Sequence, residues 1–360
     1  MSSPATSDGL DLEGAGRAVD AVLEDFLAGQ VRGAAERGLP VEGIESLRAF
    51  LAAGGKRLRP GLCVVGWHAA GKKAVPASVV RVAASLEMFH SFALIHDDVM
   101  DASETRRGRS TVHRAAAMLH QDGRDQAAAD RLGSGLAILV GNLAHAWAME
   151  LVHTAGLRPH QLAEVLPLTD VMRTEIMHGQ YLDMIAAGRP TEDAERALRI
   201  ACYKTARYSI EWPLRIGAAL AGAEPGLHDT LAEFARPVGE AYQLRDDLLG
   251  VFGTPARTGK SDLDDLRDGK HTVLVSIALQ RAGQAQQRLL HDLLGTPDLD
   301  ESSAAWIRDV LVSTGARDTV EELITARLEQ ALHVVDRSAL PPAAAAALRD
   351  VAHAATARTT

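Results

Sequence analysis

The 360-residue chain is poor in aromatic residues, which make up 4% of it. β-Sandwiches and barrels lean on aromatic and β-branched strands, so this shortage, with alanine abundant, points to closely packed helices. Cysteine is nearly absent. Cys63 and Cys202 each lie in an apolar helical context and read as buried small hydrophobes in a reducing compartment, not as a disulfide. No stretch of eighteen or more uncharged apolar residues occurs, so no membrane-spanning helix is expected. Residues 1–16 lack the basic segment and apolar core of a secretory signal. They read as a disordered leader, with a cytoplasmic location as the expectation. Positive charge is not in excess: the formal net charge is −9, which argues against a general nucleic-acid binder.

What is present is helical periodicity. Helices are expected over residues 17–35, 45–53, 60–70, 76–101, 136–152, 161–184, 195–221 and 230–249, and again from Thr272 onward. Pro60 suits a first helical turn, whereas Pro167, Pro213 and Pro237 fall inside expected helices and should kink or divide them. Residues 103–110 and 253–269 read as charged loops. No run of alternating strands and no short repeat is visible. The expectation is a single all-α domain over residues 17–360.

Within this apolar helical background two groups of carboxylates stand out: Asp97, Asp98 and Asp101, and then Asp246 and Asp247. Asp97 and Asp101 share a helix face one turn apart. Carboxylates beside apolar surface are costly unless a cation or a donor offsets them. Mg²⁺, a hard cation that takes oxygen ligands and often bridges to phosphates, would do so. A single divalent-metal site shared between two helices is the expectation; the bland alternative for either group alone is a solvated acidic helix end. Basic residues complement them at Lys56, Arg57 and Arg59 beside Gly54-Gly55, at Arg106 and Arg107, and at Lys204, Lys260 and Lys270. Arginine forks suit phosphate oxygens and lysines add point charge.

These residues resemble the trans-isoprenyl diphosphate synthase (polyprenyl synthetase) family. The elements that carry the resemblance run in the family's order from about Ile44 to Val275: Gly54 to Pro60, His96 to Asp101, Arg106-Arg107-Gly108, Gly179-Gln180, Lys204-Thr205 and Gln243 to Asp247. It implies a large helical bundle around a central catalytic cavity, and Mg²⁺-dependent head-to-tail condensation of isopentenyl diphosphate with dimethylallyl, geranyl or farnesyl diphosphate. It implies that Asp97, Asp101 and Asp246 hold Mg²⁺, three ions per active site, with Asp98 and Asp247 supporting them. Arg106, Lys204 and Lys260 would contact the allylic diphosphate, with Lys270 a helper. Lys56, Arg59, His90 and Arg107 would bind isopentenyl diphosphate. Gln180, Thr205 and Gln243 would face the developing allylic cation or its leaving group. A homodimer is implied as well.

The resemblance also implies that residues before the first aspartate group form the floor for the growing tail. Ala93 is small, Phe89 is large, and Phe92 lies five positions before Asp97. This pattern is similar to geranylgeranyl diphosphate synthases, with farnesyl diphosphate the next expectation and plain core packing the alternative. Two positions depart from the family. Gly250 stands where a third aspartate is frequent, which would weaken a metal contact, and Asn142 stands where an aspartate is frequent, which would alter helix packing or a supporting bond. They leave room for a regulatory or low-activity subunit. A terpene cyclase would not need Lys56, Arg59 and Arg107. The Walker-like run from Gly253 to Ser261 has five residues between its glycines where a P-loop has four. His68, His113, His120 and His178 lack metal-ligand spacing and read as structural or surface residues.

Overall fold

The computed structural model describes residues 10–253 and 263–357. The all-α expectation holds, and the chain divides into two compact units.

The first unit comprises Asp11–Val64 and Lys73–Leu162. It contains α1 (Leu12–Glu36), α2 (Glu42–Ala52), the start of α3 (Leu58–Ala69), α4 (Ala77–Met100), α5 (Val112–Leu119) and α6 (Gln126–His153). Helix α1 begins inside the expected leader, because Asp11 caps it: the Asp11 carboxylate accepts from Gly14 N at 2.7 Å. Asp125 caps α6 in the same way through Ala128 N at 2.8 Å, so α6 starts well before the expected Leu136.

Helix α4 is central. Val79, Val82, Ala83, Leu86, Met88, Phe89, Phe92 and Ile95 are buried around most of its circumference, so it carries no polar stripe. Its close neighbour is α6. At Gly141 of α6 a Cβ would overlap the imidazole of His96 on α4, so glycine lets the two helices approach. The expectation that no helix would reach membrane-spanning length and apolarity fails for α4 and α6, which pass on length and composition; the apolar window of α4 is 61% buried and serves the core.

The charged loop after α4 folds into a short hairpin that alternation could not reveal. Strands β1 (Thr105–Arg106) and β2 (Arg109–Ser110) pair antiparallel around Arg107 and Gly108. Both turn residues have positive φ, 54° and 72°, as a two-residue hairpin turn requires.

The second unit comprises Val65–Lys72 and the residues from Ala163 on. Its helices are α7 (Pro159–Ala186, which enters from the preceding unit), α8 (Ala194–Ala201), α9 (Trp212–Leu220), α10 (Pro225–Phe252), α11 (Asp264–Arg267), α12 (Val273–Arg281), α13 (Gln284–Leu293), α14 (Glu301–Ser313), α15 (Ala316–Arg337) and α16 (Pro342–Thr356). Pro167 and Pro237 are accommodated inside α7 and α10. The helix expected over 195–221 is in fact three pieces: between α8 and α9 the backbone is a ten-residue π-helix, Cys202–Glu211. The wider turn places Lys204 and Thr205 on an unusual backbone, a feature concentrated at functional sites. Gly179 of α7 meets it closely, since a Cβ there would strike the backbone of Lys204. Cys63 and Cys202 are free thiols, and burial pushes the Cys63 thiol up to about 12.

Candidate active site

In the first unit, the end of α4 presents Asp97 and Asp98, and Asp101 caps it. The hairpin carries Arg106 back onto them. Arg106 Nε donates to Asp98 Oδ1 at 2.6 Å, and its Nη2 lies 3.5 Å from Asp97 Oδ2. Asp98 is 1% exposed whereas Asp97 is 21% exposed. Asp98 therefore points inward and fixes the arginine, while Asp97, more distant from it, is the more exposed of the two. Burial alone would lower the Arg106 pKa; Asp98, Asp97 and Asp101 more than offset this and hold it above its ordinary value.

Around His90 the unit gathers positive charge. The partly buried His90 imidazole is held well below its ordinary pKa, by burial first and then by Arg59, Arg107, Arg106 and Arg57, so it is neutral at pH 7. Burial, together with Arg57, Arg106 and Arg59, also lowers the Arg107 pKa against the pull of Glu87. A group of like charges at this density is an anion site in waiting. Arg57, one of the basic residues beside Gly54-Gly55 to which the family resemblance assigned no substrate contact, organises it. Its φ of 46° turns the chain after Gly54-Gly55, and its guanidinium bonds Asp20 at 2.7 Å, Glu87 at 2.8 Å and the Leu51 carbonyl at 2.9 Å. Gly55 is crowded by the Arg107 and Arg57 guanidinium groups, which stand 3.0 Å from where its Cβ would be. Lys56 is exposed beside them.

Toward its apolar end the same unit forms an aromatic group. Phe92 lies 5.1 Å from Phe89, 5.1 Å from His145 and 4.6 Å from His96, centroid to centroid. Phe89 also meets His145 at 5.6 Å. His145 was not singled out in the sequence, because a lone histidine on an apolar helix gives no signal. Ala93 is only partly buried.

In the second unit, a hydrogen-bonded relay links three expected residues. Thr205 Oγ1 donates to Gln243 Oε1 at 2.6 Å, and Gln243 Nε2 donates to Asp247 Oδ1 at 2.8 Å. Burial, with the charges of Asp265 and Asp246, pushes the Asp247 carboxyl up to about 7 despite Gln243 and Lys270. Lys204 Nζ donates to Asp183 Oδ2 at 2.6 Å, and Lys270 Nζ to Asp265 Oδ1 at 2.5 Å. Asp183 was missed, although it follows Gly179 by one helical turn and so shares the face that meets the π-helix. Gln180 is partly buried on α7. Lys260 and most of the Walker-like run lie outside the described residues. Asn142 is exposed, so it does not alter packing within its unit as expected. His113 is buried, His68 bonds the Lys72 carbonyl at 2.6 Å, His178 is exposed and His120 is partly so.

Among the described residues, no three or more His, Cys, Asp or Glu side chains are gathered tightly enough to hold a metal on their own. The donors are nonetheless all carboxylate oxygens, from Asp97, Asp98 and Asp101 at the end of α4 and from Asp246 and Asp247 on α10. That chemistry fits Mg²⁺, which binds through one or two carboxylates and completes its shell with substrate phosphate and water.

A family description, polyprenyl synthetase, matches residues 44–311. A geranylfarnesyl diphosphate synthase of Aeropyrum pernix is 33% identical over 80% of this chain and 85% of its own length. A (2E,6E)-farnesyl diphosphate synthase of Mycobacterium bovis is 32% identical over 83% of this chain and 78% of its own. The solved structure of a geranylgeranyl pyrophosphate synthase from Corynebacterium glutamicum, complexed with isoprenyl diphosphate and magnesium, superposes with a TM-score of 0.92 at 38% identity, covering 97% of this chain and all of that one. The carboxylates, the basic cluster and the Thr205–Gln243–Asp247 relay are thus features of a chain that belongs to the polyprenyl synthetase family and is a prenyltransferase of the trans-prenyl diphosphate synthase type.

Proposed function

We propose that the protein condenses isopentenyl diphosphate head-to-tail with an allylic diphosphate in an Mg²⁺-dependent reaction, and that its main product is geranylgeranyl diphosphate. By the family resemblance Asp97, Asp101 and Asp246 are the residues that would hold Mg²⁺, which when bound would supply charge that stabilises the departing diphosphate. Asp98 keeps Arg106 aimed at the same region. Lys204, steadied by Asp183, contacts the allylic diphosphate, with Lys270 assisting. Arg59, Arg107 and Lys56, with neutral His90 among them, bind the diphosphate of isopentenyl diphosphate. The Thr205–Gln243 pair presents oxygen dipoles toward the allylic cation, and the buried helical walls exclude the water that would quench it. The double bond of isopentenyl diphosphate attacks the cation, and a proton leaves to the departing diphosphate. No covalent nucleophile is required.

The observation that carries the product length is the aromatic group of Phe89, Phe92 and His145, in which Phe89 and Phe92 precede Asp97 on α4 and would limit the growing tail. A farnesyl product is the second reading, favoured by the likeness to the M. bovis enzyme. We further propose a cytoplasmic homodimer. Met118 and Leu119 on α5 and Ile138 and Leu139 on α6 are exposed apolar side chains that a second copy would cover.

The test is mass spectrometry of products from the purified protein with Mg²⁺, isopentenyl diphosphate and each of dimethylallyl, geranyl and farnesyl diphosphate. A dominant twenty-carbon diphosphate from all three is expected, with no turnover after chelation or without isopentenyl diphosphate. A fifteen-carbon product overturns the chain length and keeps the reaction. No condensation with any primer overturns the reaction. Sedimentation tests the dimer.

A further inference from the structure

Asp97 and Asp101 form a pair of carboxylates one helical turn apart. On α10 the matching positions are Asp246 and Gly250, so the second carboxylate is missing. The space beside Gly250 is nevertheless filled by another carboxylate. A Cβ on Gly250 would overlap Oδ2 of Asp265, with Cγ of the same residue next to it. An aspartate at position 250 would send its own carboxylate into this volume, since its oxygens lie only two bonds beyond Cβ. Asp265 therefore stands where the absent side chain would be.

The position is built into the fold. Asp265 lies on the short α11, whose Leu266 is 1% exposed in the core of its unit and whose Leu266 carbonyl accepts from Gly295 N at 2.9 Å. Arg267 anchors the other side through the Leu299 carbonyl at 2.9 and 3.1 Å. Lys270 engages Oδ1 of Asp265 at 2.5 Å, and Oδ2 is the oxygen turned to Gly250. Asp246 lies one helical turn before Gly250 on the same face of α10, so Asp265 faces the stretch of helix that carries it.

We propose that Asp265 supplies the carboxylate that position 250 lacks, so that Asp246 and Asp265 together grip a divalent cation bound to diphosphate. Glycine at 250 is then a requirement of the arrangement and not a loss from it. The inference rests on the reading given under Proposed function, and it removes the main reason for treating the chain as a low-activity subunit.

The experiment counts free Mn²⁺ by electron paramagnetic resonance while the full-length protein is titrated in the presence of inorganic pyrophosphate. Asp265→Asn keeps the shape of the side chain and is expected to weaken Mn²⁺ binding by about tenfold or more. Gly250→Asp alone crowds Asp265 and is expected to weaken it too. Gly250→Asp combined with Asp265→Gly moves the carboxylate back to α10 and is expected to recover wild-type affinity, although its ion pair with Lys270 is gone. Circular dichroism establishes that each variant is folded. Wild-type affinity in Asp265→Asn, or no recovery in the double variant, overturns the proposal. If the wild-type protein condenses prenyl diphosphates while Asp265→Asn binds Mn²⁺ normally, this inference fails and the functional reading stands. If Mn²⁺ binding depends on Asp265 and no primer is elongated, the functional reading fails and the metal role stands.

Discussion

Arg106 on the hairpin and Asp98 on α4 are locked together, Nε to Oδ1 at 2.6 Å, with 13% of the arginine side chain and 1% of the aspartate exposed. Adjacent aspartates thus have different surroundings: Asp98 is buried against the protein's own cation, and Asp97 is 21% exposed and farther from it. Removing one partner of a buried pair strands the other charge. Asp98→Ala is expected to cost about 3 kcal/mol of stability and to lose activity as the hairpin loosens. Asp97→Ala is expected to melt near the wild-type temperature yet lose about 100-fold or more in turnover. Thermal melts read beside initial rates separate the two; equal melting temperatures for both variants would contradict the division.

Burial first, and then the charges of Asp265 and Asp246, push the Asp247 carboxyl up to about 7 from its ordinary 3.8. Between those values the folded chain keeps a proton that the unfolded chain has released, so this group's contribution to stability falls as pH rises through that window, and its loss is complete above pH 7. Asp247→Asn is neutral throughout and escapes the loss. The melting temperature of the variant minus that of the wild type is therefore expected to increase from about pH 5 to about pH 8, by roughly 2 °C or more. A difference that is flat with pH would show that Asp247 is not raised.

The aspartate groups stood out in the sequence because carboxylates in apolar helices need a partner and Asp97 and Asp101 fall one turn apart, whereas Thr205, Gln243 and the role of Lys204 were marked by the family resemblance alone. Other features left little trace. The hairpin around Arg107 is too short for alternation, and it is recognisable only from Gly108 and two positive φ angles. The π-helix at Cys202–Glu211 differs from an α-helix in its hydrogen bonding, which residue periodicity does not record. Helix α5 is eight residues long, under the length at which a periodic pattern is distinct. Asp265 was hidden among the acids of a charged loop, and only the contact with Gly250 distinguishes it. The early start of α1 depends on one capping aspartate, Asp11, inside a stretch whose composition otherwise reads as a leader.

The approach of α6 to α4 depends on the absence of a side chain at Gly141. In Gly141→Ala the new methyl would press into the His96 ring, and either the imidazole gives up its 3.1 Å contact with the Ile138 carbonyl or the helices move apart. Overpacking of this kind is expected to cost about 1–3 kcal/mol. The neighbouring Asn142 is exposed, so Asn142→Asp is expected to stay within about 0.5 kcal/mol of wild type. Chemical denaturation of the two variants checks both values, and a stable Gly141→Ala protein would mean that α4 and α6 can separate freely.

Phe92 is the aromatic that stands between Asp97 and the buried Phe89. It is 9% exposed and touches Phe89, His96 and His145, whereas Phe89 is 1% exposed beneath it. If Phe92 closes the channel for the growing tail, Phe92→Ala opens a path toward Phe89 and the main product lengthens by at least one five-carbon unit. The cavity is expected to cost about 3 kcal/mol, so product analysis belongs well below the lowered melting temperature. Phe89→Ala is expected to be destabilising to a similar degree but to change the product less, because Phe92 still closes the path, and the double variant is expected to give the longest chains. An unchanged product from Phe92→Ala would mean that Phe92 is core packing alone and that the floor lies elsewhere.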